Sequence, residues 1–129
     1  MTHATAVEPE RDRGVVDVSI EMLFGLLAVV MVLLLLFETA AYWHARNVFD
    51  EAASEGARIA AAYDGSCAAG IDAARASIAR QAGGWADDVE ITCVDGATVT
   101  VAVTGRTPGV VSGTLGFRAR VEESAPRER

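Results

Sequence analysis

The residues of this chain that could take part in chemistry are two cysteines and two histidines. Cys67 and Cys93 lie in the C-terminal half, His3 stands near the N-terminus, and His44 follows a long apolar run. Two cysteines without a nearby histidine make an incomplete ligand set for zinc, so no metal site is expected. Nor does a Ser/His/Asp or Cys/His set, as nucleophilic catalysis requires, converge on the C-terminal domain, since both histidines precede it. We therefore expect no enzyme, no cofactor and no catalytic residue.

The two cysteines are instead suited to form a disulfide. A bridge between Cys67 and Cys93 would close a loop of about 26 residues, which the chain-entropy model values at about 3 kcal/mol. Disulfides persist outside the cytoplasm, and a small domain gains much from such a cross-link. The alternative is a pair of free, buried thiols.

The composition argues against two classes of partner. The formal net charge is -7 at pH 7, whereas a nucleic-acid-binding face must be basic to neutralise phosphates. The C-terminal domain, at roughly 60 residues, also has little room for a concave pocket. We expect neither a nucleic acid nor a small-molecule substrate.

The longest apolar run, Met22–Phe37, carries no charged residue. It is a few residues shorter than the ~20 that a helix needs to cross ~30 Å of hydrocarbon. The missing length must come from one flank. Either Val18–Ile20 enters the membrane with Glu21, or Thr39–Ala41 enters with Glu38. The first expected partner of the chain is therefore a lipid bilayer.

A retained anchor fits this run better than its alternatives. A cleaved signal peptide has a shorter apolar core and small residues at its exit, whereas bulky Tyr42 and Trp43 follow here. A buried helix of a soluble protein would need far more surrounding chain. Arg11 and Arg13 favour a cytoplasmic N-terminus weakly. Cysteines on the C-terminal side favour the same single-pass orientation.

The predicted helix continues beyond the membrane to Tyr63, because residues 41–63 contain no proline and one glycine. Small and apolar residues recur there at spacings of three and four, which predicts a broad apolar face. That face comprises Ala45, Val48, Phe49, Ala52, Ala53, Gly56, Ile59, Ala60, Ala62 and Tyr63. The opposite face is polar and carries Asn47, Glu51, Ser54 and Arg58. The apolar face packs either on the chain's own C-terminal domain or on neighbouring helices.

The rest of the chain predicts a second helix and a small antiparallel sheet. The helix is expected at about residues 69–82, before Gly83-Gly84. Alternating residues at 89–93 and 98–104 around Asp95-Gly96 predict a β-hairpin. A third strand is expected at 117–121.

The predicted fold class is α+β and pilin-like, with a long N-terminal transmembrane helix leading into a small external domain. The predicted boundaries are residues 1–14 for a cytoplasmic leader, 15–63 for the transmembrane and juxtamembrane helix, 64–121 for a disulfide-linked extracytoplasmic domain, and 122–129 for a charged, disordered tail.

The order of several motifs resembles a known family. Arg13-Gly14 precedes the apolar run, Glu38 follows it, and an aromatic pair comes next. The most specific motif is Glu55-Gly56-Ala57-Arg58, on a helix of small residues. In this order the segment Arg13–Ala62 resembles the TadE-like proteins, which are pseudopilins of tight-adherence pilus systems.

The resemblance implies a role in pilus assembly and several partners. They are other pilin-like subunits, the pilus or secretion machinery, and a prepilin peptidase that cuts after Gly14. It also implies an acidic residue in the membrane that meets the N-terminal amine of a neighbouring subunit. Five positions after Gly14 stands Ser19, so we expect this acid at Glu21, directly before the uncharged run. Glu21 could instead extend to the interface.

Glu38 is the second acid for which we expect pairing between subunits, with simple solvation at the interface as the alternative. The leading hypothesis is thus a membrane-anchored pilin-like subunit or assembly factor of a tight-adherence, type IV-like pilus in a bacterial cell membrane. The alternative is a tethered binding or accessory module of the cell envelope.

Overall fold

The computed structural model describes residues 8–86 and 88–129, with side chains from Gly14 onward. Its elements are α1 (Glu8–Ala61), α2 (Cys67–Ala82), β1 (Val89–Val94), β2 (Thr98–Arg106), α3 (Val110–Leu115) and β3 (Arg118–Pro126). A long apolar helix, a second helix and a three-stranded antiparallel sheet confirm the predicted α+β class. The chain divides into two compact units, one ending at Leu36 and one comprising Phe37–Arg129.

Helix α1 begins earlier and ends earlier than predicted. It starts at Glu8, so residues 8–14 of the predicted leader are helical, while residues 1–7 lie outside the described residues. Pro9 is compatible with this start, because the first turn of a helix needs no N–H donor there. At the other end Gly65 N donates to Ala62 O at 2.8 Å and closes a turn. Tyr63, predicted on the apolar face, lies beyond the helix and is exposed.

The first unit contains the predicted membrane segment. Every residue from Gly14 to Phe37 is exposed, including large side chains on all sides of α1. Among the described residues, α1 is the one helix long and apolar enough to cross a membrane, with a mean hydropathy of 2.8 in its most apolar window. The predicted membrane helix is therefore present by length and composition.

The second unit is built around one face of the sheet. The strand order is β1-β2-β3, and Val103 is paired with both Ile91 and Val121. Alternate residues of the strands face the helices, as the period of two dictates. The main buried cluster is formed by Val48, Phe49, Ala52, Ala53 and Ala57 of α1, Ala74, Ile78 and Ala82 of α2, and Ile91, Val101, Val103, Ala119 and Val121 of the sheet. The apolar face of α1 beyond the membrane segment thus packs on its own domain.

Phe49 is the largest fully buried side chain of this core. A Cβ atom added to Gly105 would lie 2.7 Å from Phe49 Cζ, so β2 needs glycine at this position. On another side the ring of Trp85 lies 5.8 Å from the Phe49 ring, between centroids. Phe49 therefore ties α1 to both the sheet and the segment that follows α2.

Strand β3 is longer than predicted. It runs from Arg118 to Pro126, so the first five residues of the expected disordered tail belong to the sheet. Pro126 pairs with Thr98, and the hydroxyls of Thr100 and Ser124 lie 2.8 Å apart. Glu122 is charged but lies on the solvent-facing side, which an outer strand tolerates.

The end of the chain is also held in place. Arg127 N donates to Ala97 O at 3.0 Å, and Glu128 N donates to Ala61 O at 2.8 Å. Phe117, predicted to open the third strand, precedes it and is exposed.

The predicted disulfide is confirmed. Cys67 and Cys93 are bonded, with their Cα atoms 5.7 Å apart, and they join the start of α2 to β1. Helix α2 begins two residues earlier than predicted because Ser66 caps it: Ala69 N donates to Ser66 Oγ at 3.2 Å. The predicted hairpin is also confirmed, each strand being slightly longer.

Replacing both cysteines by alanine should lower the free energy of unfolding of the Phe37–Arg129 unit by about 3 kcal/mol, because the unfolded chain regains the freedom of the loop closed by the disulfide. Urea unfolding of the full-length protein in detergent, followed by circular dichroism, measures the change. The native chain with reductant is the control and should match the double variant. Equal midpoints for the double variant and the oxidised native chain would contradict the prediction.

Candidate functional site

Glu38, the first charged residue after the apolar run, binds the beginning of α3. Val111 N donates to Oε1 at 2.7 Å, and Ser112 N donates to Oε2 at 3.3 Å. The Ser112 hydroxyl lies 2.7 Å from the same Oε2 and 2.9 Å from the carbonyl oxygen of Pro108. The first N–H groups of a helix have no partner within the helix, so a carboxylate is well placed there. Glu38 thus joins α1 to a segment more than seventy residues away in sequence.

Gly109 makes this contact possible. Its φ of 130° lies in a region that side chains disfavour. A Cβ atom there would collide with the Glu38 carboxylate and would lie 2.6 Å from Ser112 Oγ. The sequence indicated only a break at Pro108-Gly109. The structure shows that glycine is needed so that the backbone can approach Glu38 closely.

The segment between β2 and β3 is closed at its base by Thr107. Thr107 N donates to Phe117 O at 3.0 Å, and its hydroxyl donates to the same oxygen at 3.2 Å. Phe117 N donates to Ser112 O at 2.9 Å. The polar side chains of Thr107 and Ser112 are buried. These hydrogen bonds hold the segment in a compact conformation, in which its large apolar side chains are exposed.

The Glu55-Gly56-Ala57-Arg58 motif packs against α2. A Cβ atom on Gly56 would lie 2.8 Å from the backbone oxygen of Gly70, and one on Gly70 would lie 2.6 Å from the backbone oxygen of Gly56. The two helices therefore cross where both lack a side chain. Ala57 is buried, and Glu55 forms a 3.6 Å ion pair with Arg80 of α2. Arg58 is exposed.

The polar face of α1 carries an acidic groove. Its lining consists of Asn47, Asp50, Glu51, Ser54, Glu55, Arg58 and Glu123. A hydrogen bond with Asp50, followed by desolvation and by repulsion from the Asp50 charge, raises the pKa of Glu123 above its usual value. The Glu123 carboxyl therefore holds its proton to a higher pH than an isolated carboxyl group would.

The predicted site residues fall into two groups. Gly14 and Glu21 belong to the first unit and are exposed on α1, so the processing site and the membrane-pairing acid stay predictions. Glu38 and the residues 55–58 belong to the second unit, where they contact α3 and α2. Pairing of Glu38 between subunits also stays a prediction, and the structure adds a partner within the chain.

Sequence reasoning missed α3 and its contact with Glu38. The segment Thr107–Phe117 contains no charged residue, which is unusual for an exposed connection between strands. That absence of charge was the available signal, although it does not indicate which residue binds the segment.

The fold defines a class of protein in which one long apolar helix leads into a small, disulfide-linked α+β domain. Residues 18–58 match the family model described as TadE-like protein, which confirms the resemblance over that segment. The match covers less than half of the chain and includes Glu21, Glu38 and the Glu55–Arg58 motif, while the sheet lies outside it. No curated protein and no solved structure is significantly similar to this chain.

Gly56→Ala should destabilise the Phe37–Arg129 unit by about 1–3 kcal/mol, because the added methyl group meets the backbone of α2. Gly84→Ala is the matched control: a Cβ atom there has no neighbour within 4 Å, so its effect should stay within about 0.5 kcal/mol. Urea unfolding in detergent measures both. Equal effects of the two substitutions would show that the helices do not cross at Gly56.

Glu38→Ala should free the start of α3, because two backbone N–H groups lose their acceptor. We expect amide hydrogen exchange at Val111 and Ser112 to become at least about tenfold faster, which is the lower end of the range expected for loss of a hydrogen bond to a charged group. Glu51→Ala, on the exposed face of the same helix, should leave this exchange unchanged. Unaltered exchange in Glu38→Ala would refute the contact.

Proposed function

We propose that this protein is a membrane-anchored, pilin-like subunit or assembly factor of a tight-adherence, type IV-like pilus in a bacterial cell membrane. The observation that carries the proposal is the match of residues 18–58 to TadE-like proteins. That segment contains both the exposed apolar helix and the Gly56 motif. In this proposal the protein acts by assembly and catalyses no reaction.

The proposed anchor comprises the uncharged run together with its N-terminal flank. Because Glu38 already binds α3, moving it into hydrocarbon would also require moving the start of that helix. The missing length is therefore supplied by Val18–Ile20, and Glu21 lies about one turn inside the interface. A charge near the interface costs less than the ~3 kcal/mol found at the centre of a bilayer.

The disulfide supports an orientation with the Phe37–Arg129 unit outside the cytoplasm. Cys67 and Cys93 both lie on the C-terminal side of the anchor and are bonded, and structural disulfides form in oxidising compartments. The N-terminus then lies in the cytoplasm, where a prepilin peptidase could cut after Gly14. The new amine would be available to the Glu21 carboxylate of a neighbouring subunit, which would remove an unpaired charge from the membrane.

The acidic groove favours a second candidate function, that of a tethered accessory module. Asp50, Glu51 and Glu123 present negative charge on one side of the external unit. A partner with a basic surface would be attracted to this groove. In that case the anchor would only hold the domain at the membrane.

Glu21→Ala should abolish or strongly reduce surface filaments while the protein stays in the membrane, because the proposed pairing between subunits is lost. Electron microscopy of cells that produce the variant measures filaments, and immunoblotting of membranes measures the protein. Glu122→Ala, on the exposed side of β3, is the control and should leave filaments intact. Normal filaments with Glu21→Ala would contradict a pilin-like role.

An exchange of anchors separates the two candidate functions. Residues up to Leu36 are replaced by an unrelated transmembrane helix, and filaments are counted again. If the protein is a tethered module, the number of filaments should recover fully, because its anchor makes no specific contact. A pilin-like subunit predicts loss of filaments, because its membrane helix packs between neighbours.

A further inference from the structure

The segment between β2 and β3 carries an exposed apolar surface. We call Val110, Val111, Leu115 and Phe117 the α3 patch. These four side chains are between 45% and 65% exposed, and no charged residue occurs from Thr107 to Phe117. Neighbouring apolar side chains left in water on one short segment usually mark a contact surface.

The position of the α3 patch is fixed by Glu38. Glu38 follows directly after the last residue of the uncharged run Met22–Phe37. Val111 N and Ser112 Oγ each lie 2.7 Å from its carboxylate oxygens. With the membrane anchor proposed above, the α3 patch lies at the level where the chain leaves the hydrocarbon. Thr98 pairs with Pro126 at the end of the sheet opposite to the one that leads into α3.

The hydrogen bonding of the segment also suits contact with lipid. Backbone groups are costly near hydrocarbon unless they have partners. Glu38 accepts hydrogen bonds from Val111 N and Ser112 N, and Phe117 O accepts from Thr107. Apolar side chains can therefore enter the interface without carrying these polar groups in unpaired.

We propose that the α3 patch inserts into the interfacial region of the bilayer, as a second lipid contact beside the membrane helix. Apolar side chains of such interfacial elements are buried ~5–10 Å into the boundary between headgroups and acyl chains. The contact holds the Phe37–Arg129 unit at the membrane surface. It rests on the proposed membrane anchor but on neither the pilus role nor the processing of Gly14.

Fluorescence quenching by brominated lipids tests the proposal. Leu115→Trp and Val94→Trp are made in full-length chains that carry Trp43→Phe and Trp85→Phe, so each chain has one tryptophan. Val94 is the matched control, because it is also exposed at 66% and lies at the far end of β1, beside Cys93. The chains are reconstituted into phosphatidylcholine–phosphatidylglycerol vesicles whose lipids are brominated near the headgroup.

We expect brominated lipid to lower the fluorescence of Leu115→Trp by about twofold or more, because a residue inserted at the interface meets the bromine atoms. Val94→Trp should keep its intensity and should be quenched by aqueous iodide instead. Equal responses of the two tryptophans to both quenchers would overturn the proposal. Protection of Leu115→Trp from iodide without quenching by lipid, and only at high protein density, would overturn it in favour of a second copy of the chain.

Two further measurements, of folding and of flotation with vesicles, distinguish failure of this proposal from misfolding of the variants and from failure of the anchor. The disulfide and the circular dichroism spectrum show whether the variants fold. If they do not, each tryptophan is added to the native chain and the signal of that chain is subtracted. Chains that float with the vesicles but show no lipid quenching at position 115 refute the α3 contact alone. Chains that do not float with the vesicles refute the anchor as well.

Discussion

Large apolar side chains cover all sides of α1 from Val15 to Phe37, and this surface has to be removed from water. Burial of apolar area is the dominant favourable term in folding and association. The Phe37–Arg129 unit has its own core around Phe49, and every residue from Gly14 to Phe37 is exposed. A bilayer can surround a single helix on every side, and all backbone groups of a helix are already paired. The proposed membrane anchor rests on this exposed surface.

Glu38 is the first charged residue after the apolar run, and it connects α1 to the rest of the small domain. Its carboxylate organises α3, and Gly109 leaves the space that the carboxylate occupies. Further along the same helix, Phe49 fills the space over Gly105, and Gly56 allows α2 to approach closely. Positions along α1 therefore set where each other element of the small domain can attach. The disulfide adds a covalent link at the far end, which suits a core of this size.

The sequence predicted the elements whose periodicity is produced by burial. The apolar stripe of α1 through Val48 and Ala52 and the alternation of Val99, Val101 and Val103 were recognisable because one face of each element is buried. The pairing of Cys67 with Cys93 was recognisable because the chain offers two cysteines and a small domain. The packing role of Gly56 was expected, but its partner Gly70 was not, since local patterns do not specify which helix crosses which.

Three features could not be predicted from local patterns. Helix α3 has only six residues, and its apolar side chains point outward, so it lacks the amphipathic period that identifies a helix. The extension of β3 through Glu122 and Glu123 resembles a charged tail, because Glu122 faces water on an outer strand. Glu123, on the other face, lines the acidic groove with Asp50. The contact of Glu38 with Ser112 joins residues far apart in sequence. It arises from the packing of the whole unit and not from any short motif.

In the proposed arrangement, the apolar run lies in lipid while the disulfide-linked unit is exported. A reporter enzyme that folds only outside the cytosol, fused after Arg129, tests both parts in living cells. We expect full reporter activity in the membrane fraction, and no activity when a reporter that works only in the cytosol takes its place. Activity of the cytosolic reporter alone, or recovery of the full-length chain as a freely soluble protein, would contradict it.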